Sequence, residues 1–209
     1  MSADLNFKQP EQVDWANFNP ASKYIAPPLP VDSNGKTITY QGTFPKDVKV
    51  EEDKDGYMQF ILDPIVLKSG YEIRFTRASV KLFERNGKKQ NANRIGTALK
   101  SAQVAARPQT NDEYAAAVKA AAGRPIHFTL DWSAYNKDNN ESVDTYMAFP
   151  EDPDRPGQRK AILKKGDVYN VVDRKGNILE TKTVESEVLF ANAKIRYFVD
   201  PTRRDAAAG

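Results

Sequence analysis

Apolar and polar positions alternate from Tyr71 to Arg85, and the alternation changes phase in the middle. Tyr71, Ile73 and Phe75 are apolar on odd positions, whereas Ala78, Val80 and Leu82 are apolar on even ones. Strand side chains alternate between faces, so a continuous strand keeps its core face through such a shift only if an extra residue is inserted near Thr76 to Ala78. The pattern predicts one long, bulged, strongly bent strand, of the kind that lets a sheet curl into a small barrel. Beyond the shift its outward face reads Arg77, Ser79, Lys81, Phe83 and Arg85. Asn86-Gly87 is a strong turn pair that ends the strand, and Lys88-Lys89 follow it.

The remaining periodicity predicts further strands around a helical pair. Val48 and Val50 precede an acidic, glycine-containing turn, and the apolar run from Tyr57 to Leu67 is interrupted by Asp63-Pro64, which marks an edge or a broken strand. Ile95, Leu99 and Ala102 share a helical face in a segment that stops at Pro108. Thr110 and Glu113 have the spacing of a capping box, Tyr114, Ala117, Val118 and Ala121 form the apolar face of a second helix, and Gly123 is a natural stop. Ile126, Phe128, Leu130, Trp132 and Ala134 then alternate with His127, Thr129, Asp131, Ser133 and Tyr135, the mark of a half-buried strand. Residues 136–160 are polar, acidic and proline-rich and read as a long mobile loop. Lys175-Gly176-Asn177 centres a hairpin arm. In the last strand Ala193, Ile195, Tyr197 and Val199 face one way, while Lys194, Arg196 and Phe198 face the other.

These elements give a mainly β fold with a helical insertion, in three stretches. Residues 1–45 form a proline-rich N-terminal arm, because Pro10, Pro20, Pro27, Pro28, Pro30 and Pro45 exclude a long helix or a central strand. Phe7, Trp15, Phe18 and Tyr24 are unusual in a solvated linker and point to packing on the domain or on a neighbouring subunit. Residues 46–200 form the domain, with the helical insertion at 91–123 and the loop and hairpin at 136–187. Residues 201–209 are a short tail.

Composition narrows the function. The 209 residues hold no cysteine and one histidine, which removes disulfides, thiolate metal sites and most triad chemistry. There is no apolar run of membrane-spanning length and no signal-peptide pattern at the N-terminus, so a cytoplasmic protein is expected, in the host cytoplasm if the source is viral. Net charge is only +3. Yet residues 71–100 carry eight Lys or Arg against Glu72 and Glu84, a local balance of +6. Such a concentration fits a defined polyanion site; ordinary surface solubility is the competing explanation. No phosphate-binding loop or dinucleotide fingerprint is present, the acidic group at Asp152 and Asp154 fits no calcium-loop spacing, and no catalytic turnover is expected.

In wording and order, GYEIRFTRASVKLFERNGK, NRIGTALKSA, GRPIHFTLDWSAY and ANAKIRYFV resemble phage-type single-stranded DNA-binding proteins, over roughly residues 57–200. The resemblance implies an OB-fold-like five-stranded barrel and an oligomeric or cooperative binder of single-stranded DNA that protects replication or recombination intermediates. Several related proteins carry a zinc ribbon near the final hairpin; without cysteine, no metal or other cofactor follows here. Their acidic, partner-recruiting tail is also missing from Arg203 to Gly209, so replication or recombination partners are not indicated by the tail.

The site residues expected from this reading are Arg77, Lys81, Arg85, Lys88, Lys89, Lys194 and Arg196 on phosphates, with Phe83, Phe198 and Tyr135 stacking on bases. Each of those aromatics could instead be buried beneath a loop or a subunit contact. Trp132 shares the parity of Phe128 and Leu130 and belongs to the core, and His127 reads as a surface or hydrogen-bonded residue. The alternative function is a viral structural or assembly protein that uses its N-terminal arm for subunit contacts.

Overall fold

Asp63 and Pro64 break the first apolar run, and the break sends its two halves into different sheets. In the computed structural model, which describes residues 25–32, 34, 36–136, 141–142, 146–154, 156, 159–173 and 177–203, the chain begins with β1 (Thr39–Thr43), β2 (Lys49–Glu52), β3 (Met58–Ile61) and β4 (Ile65–Leu67). There follow β5 (Glu72–Ile73), β6 (Arg77–Ser79), β7 (Leu82–Arg85) and β8 (Lys88–Asn93), then the helices α1 (Arg94–Ser101) and α2 (Asn111–Ala121). The chain continues through β9 (Pro125–Asn136), β10 (Glu141–Ser142), β11 (Tyr146–Ala148), β12 (Ile162–Lys164), β13 (Val168–Val172), β14 (Ile178–Thr183) and β15 (Val188–Phe198). The fold is mainly β with a helical insertion.

The largest sheet has the order β12-β15-β9-β1-β4-β5, with β10 also on β9. β9 and β15 are its longest strands and pair antiparallel from Asn136 and Leu189 to Phe128 and Phe198. β1 passes so close to its neighbours that a Cβ on Gly42 would lie 2.8 Å from Ile65 Cγ2 and 3.1 Å from the Phe128 ring. Only glycine fits that approach without displacing the core. Although β5 ends the order, the sheet bends until the Tyr71 hydroxyl, just before β5, accepts the Ala193 N–H of β15 (3.3 Å) and reaches Asn192 Oδ1 (3.5 Å). Main-chain pairing does not complete this circuit. Among the described residues the sheets are open, where the resemblance implies a closed five-stranded barrel.

Three smaller β units surround it: the sheet β2-β3-β6, the sheet β11-β13-β14, and the two-stranded ribbon β7-β8. One apolar core joins β3, β4, β5, β6, β9, β12 and β15 to both helices, through Phe60, Ile65, Ile73, Ala78, Phe128, Leu163, Ile195, Leu99 and Val118 among others. The capping box at Thr110 forms as its spacing predicts: Glu113 N–H donates to the Thr110 hydroxyl, and the Thr110 N–H donates to the Glu113 carboxylate. Trp132 is buried, and its indole N–H donates to the Pro28 carbonyl at 2.9 Å.

Four expectations are corrected. Residues 71–85 are not one bent strand, because Phe75 adopts a left-handed backbone (φ 61°) and the N–H groups of Phe75 and Thr76 donate to the Asp63 carboxylate at 2.8 and 2.7 Å. That kink sends β5 and β6 to different sheets and turns Phe75 outward, 52% exposed. Thr39–Thr43, counted with the arm, is a strand between β9 and β4, and Phe44 after it is fully buried. β9 is buried on both faces rather than one: Ser133 and Thr129 lie inside as well, with the Ser133 hydroxyl donating to Asn192 O. The stretch 136–160 includes β10 and β11, and β11 adds a third strand to the expected hairpin of β13 and β14. Phe7, Trp15, Phe18 and Tyr24 lie outside the described residues, as does the tail beyond Arg203.

Candidate nucleic-acid interface

Asn86 (φ 53°) and Gly87 (φ 72°) both take positive φ, so the two-residue turn matches the twist of β7 and β8 and makes a tight ribbon. Arg85 faces Lys88 and Glu84 faces Lys89 across it. Residues directly opposite share a face and next-but-one residues share it too; the register slips between Leu82 and Glu84 by two extra residues of β8, which leaves the alternation within β7 intact and sets Phe83, Arg85 and Lys88 on one side. Lys89 stands on the other with Glu84. Every residue of β7 is exposed, Phe83 at 41%, and in β8 only Asn93 is buried.

Asn93 anchors this ribbon. Its amide donates to Val80 O (3.0 Å), where the chain enters β7, and to the Tyr114 hydroxyl of α2 (2.7 Å). Its Oδ1 accepts the Gly96 N–H and caps α1 (2.7 Å). A Cβ at Gly96 would sit 2.8 Å from that oxygen, so any larger residue there would make the Asn93 side chain shift. The next residue, Arg94, donates to Ile195 O (2.7 Å) and Arg196 O (3.4 Å), and its guanidinium lies over the Phe198 ring at 5.5 Å. The base of the ribbon is thus fixed against the end of β15.

At that end the register of β15 against β9 slips between Ile195 and Tyr197, a bulge that swaps the faces beyond it. Phe198, expected outside, packs in the core opposite Phe128 at 9% exposure; Tyr197, expected inside, is 51% exposed. Phe198 is therefore withdrawn as a stacking residue. Tyr197 takes that position, with the Arg196 guanidinium 4.9 Å from its ring. Alternation runs through Lys194-Ile195-Arg196-Tyr197 and then gives way to the apolar run Tyr197-Phe198-Val199, which leaves open which of the two aromatics faces the core. Lys194 faces Asp131 across the ladder, and Arg196 Nε lies 3.5 Å from Asp131 Oδ2.

The other expected residues divide. Arg77 is ion-paired with Glu51 (2.8 Å) and Lys81 with Asp55 (2.6 Å), both across from the acidic turn between β2 and β3. Its hydrogen bond to Asp55 raises the Lys81 pKa, and the Ser79 hydroxyl on Asp53 (2.7 Å), with the Tyr57 N–H, lowers that of Asp53. Tyr135 lies apart, opposite Phe190, about 20 Å along β9 from the Thr129 that faces Tyr197. The structure therefore brings Phe83, Arg85, Lys88 and Lys89 together on the ribbon and Lys194 and Arg196 beside its base. Arg77 and Lys81 sit in an ionic network, and Tyr135 is remote.

Among the described residues no group of three His, Asp or Glu side chains could hold a metal ion, and no helix is long and apolar enough to cross a membrane. No family model matches the chain, and no curated protein or solved structure matches it.

Proposed function

We propose that this protein binds single-stranded DNA without reading its sequence and without turnover, protecting replication or recombination intermediates. The observation that carries the reading is the exposed face shared by Phe83, Arg85 and Lys88. An aromatic ring flanked by cations offers a base a stacking surface and its phosphates a counter-charge, and neither demands a particular base. Tyr197 with Arg196 supplies a second aromatic and cation pair next to the anchored base of the ribbon. The bent sheet, in which Tyr71 returns to β15, supports an OB-like barrel sealed by side chains instead of by a final ladder.

The test is fluorescence anisotropy of labelled oligothymidine against a duplex of equal length at the same salt. Binding is expected to favour the single strand, because stacking needs unpaired base faces. Equal affinity for the two would remove stacking from the mechanism.

A further inference from the structure

We propose that β14 is a self-association edge, through which two copies of this chain pair antiparallel about a two-fold axis at Thr181, merging two three-stranded sheets into one. β14 has no partner on its outer side among the described residues, and all six of its residues are exposed. Val184 N–H donates inward to Asp167 O of the segment before β13 at 2.8 Å. Antiparallel strands alternate these directions, so residues 182 and 180 also bond inward while Thr181 and Thr183 present their N–H and C=O groups to the open edge. A two-fold axis at Thr181 makes these groups of the two copies each other's partners.

That axis also sets the side chains. Glu180 and Lys182 flank Thr181, point the same way, and form a 3.3 Å ion pair within the strand, both about half exposed. Antiparallel pairing centred on Thr181 puts Glu180 of each copy opposite Lys182 of the other, giving two cross-copy charge pairs. Centring the axis on Thr183 or on Leu179 matches no opposite charges, so charge complementarity selects one register. Leu179 is the extra residue of a bulge at the end of this regular edge, and the same register brings it toward Thr183 of the other copy, whose own neighbour is Val168. Leu179 is 66% and Val168 50% exposed in the single chain, and Ile178, next to Leu179, is 62% exposed. Edge strands left open this way are ready templates for another strand. The short edge places the contact among small, reversible interfaces. This inference is independent of the DNA-binding reading.

Sedimentation velocity on the nucleic-acid-free protein over a range of concentrations tests it. A reversible monomer–dimer equilibrium is expected. Glu180→Lys and Lys182→Glu, each alone, set like charges face to face and should weaken the dimer about tenfold or more, while the double exchange should restore it. Thr181→Pro removes the outward N–H at the axis, a change an edge strand can accept, and should abolish the dimer with the far-ultraviolet circular dichroism unchanged. Should that variant misfold, the charge exchange decides by itself. A monomer at every concentration overturns the proposal. So does a dimer indifferent to the single reversals, a double exchange that fails to restore it, or a dimer lost only when residues 1–24 are removed.

Discussion

On the β7–β8 ribbon Phe83 stands between cations with 41% of its surface in solvent, while at the end of β15 Phe198 follows the cations Lys194 and Arg196 in sequence and is 9% exposed beneath Arg94. The difference is what lies under each strand. Beyond its anchored base at Asn93 the ribbon is a two-stranded layer with nothing packed on either face among the described residues, so both parities of its residues stay exposed. β15 lies on the core, and its bulge determines which of two adjacent aromatics enters it. An aromatic between cations is thus informative about function only where no layer exists to receive it.

Exchanging these two roles should break the comparison most clearly. Phe198→Ala empties a core position and should lower stability by about 3 kcal/mol, seen as a fall in the denaturant midpoint at constant slope. Phe83→Ala should leave stability within about 0.5 kcal/mol and instead cost roughly 1–3 kcal/mol of oligothymidine binding. A destabilised Phe83→Ala protein with normal affinity would assign the ribbon to structure alone.

A smaller effect separates the ribbon's cations from those tied to acids. Arg85→Ala with Lys88→Ala should flatten the plot of log affinity against log salt by about 1.4, two phosphates at roughly 0.7 each on a single strand. Arg77→Ala should change the slope less, because its guanidinium already faces Glu51. Equal changes would mean that the ion pair opens on binding.

The smallest effect is in pH. The carboxyl of Asp53 is lowered below 3.8, first by the Ser79 hydroxyl. A lowered folded value stabilises the fold above the unfolded value and loses that contribution as pH falls through the folded one, so the loss belongs below about pH 4. Ser79→Ala should bring the Asp53 titration, followed by carbon NMR, back toward its ordinary range and leave the ribbon untouched. An unmoved midpoint would show that the hydroxyl is not the cause.

Local signals were readable and long-range ones were not. Thr110 with Glu113, and Asn86 with Gly87, are complete within a few residues, so their cap and turn could be recognised from the chain alone. The phase change near Thr76 was visible too. Its outcome, a kink and not a bulge, depends on a carboxylate twelve residues upstream at Asp63. Thr39–Thr43 looked like arm because prolines surround it, and only its pairing with β9 makes it sheet. At the site, the ribbon was legible because it is local; Tyr197 and the role of Arg94 were not, because a slip against β9 creates both.

The Tyr71 hydroxyl and the Arg94 guanidinium cover the stretch of β15 that β12 leaves bare. Among the described residues, two side chains thus occupy main-chain groups of that edge beside α1 and β5. Removing either would uncover main-chain groups along a long strand, and such an edge invites strands from unrelated molecules. Substitutions at Tyr71 or Arg94 are therefore expected to be felt first as poor solubility during expression, ahead of any change in the melting temperature of the protein that is recovered.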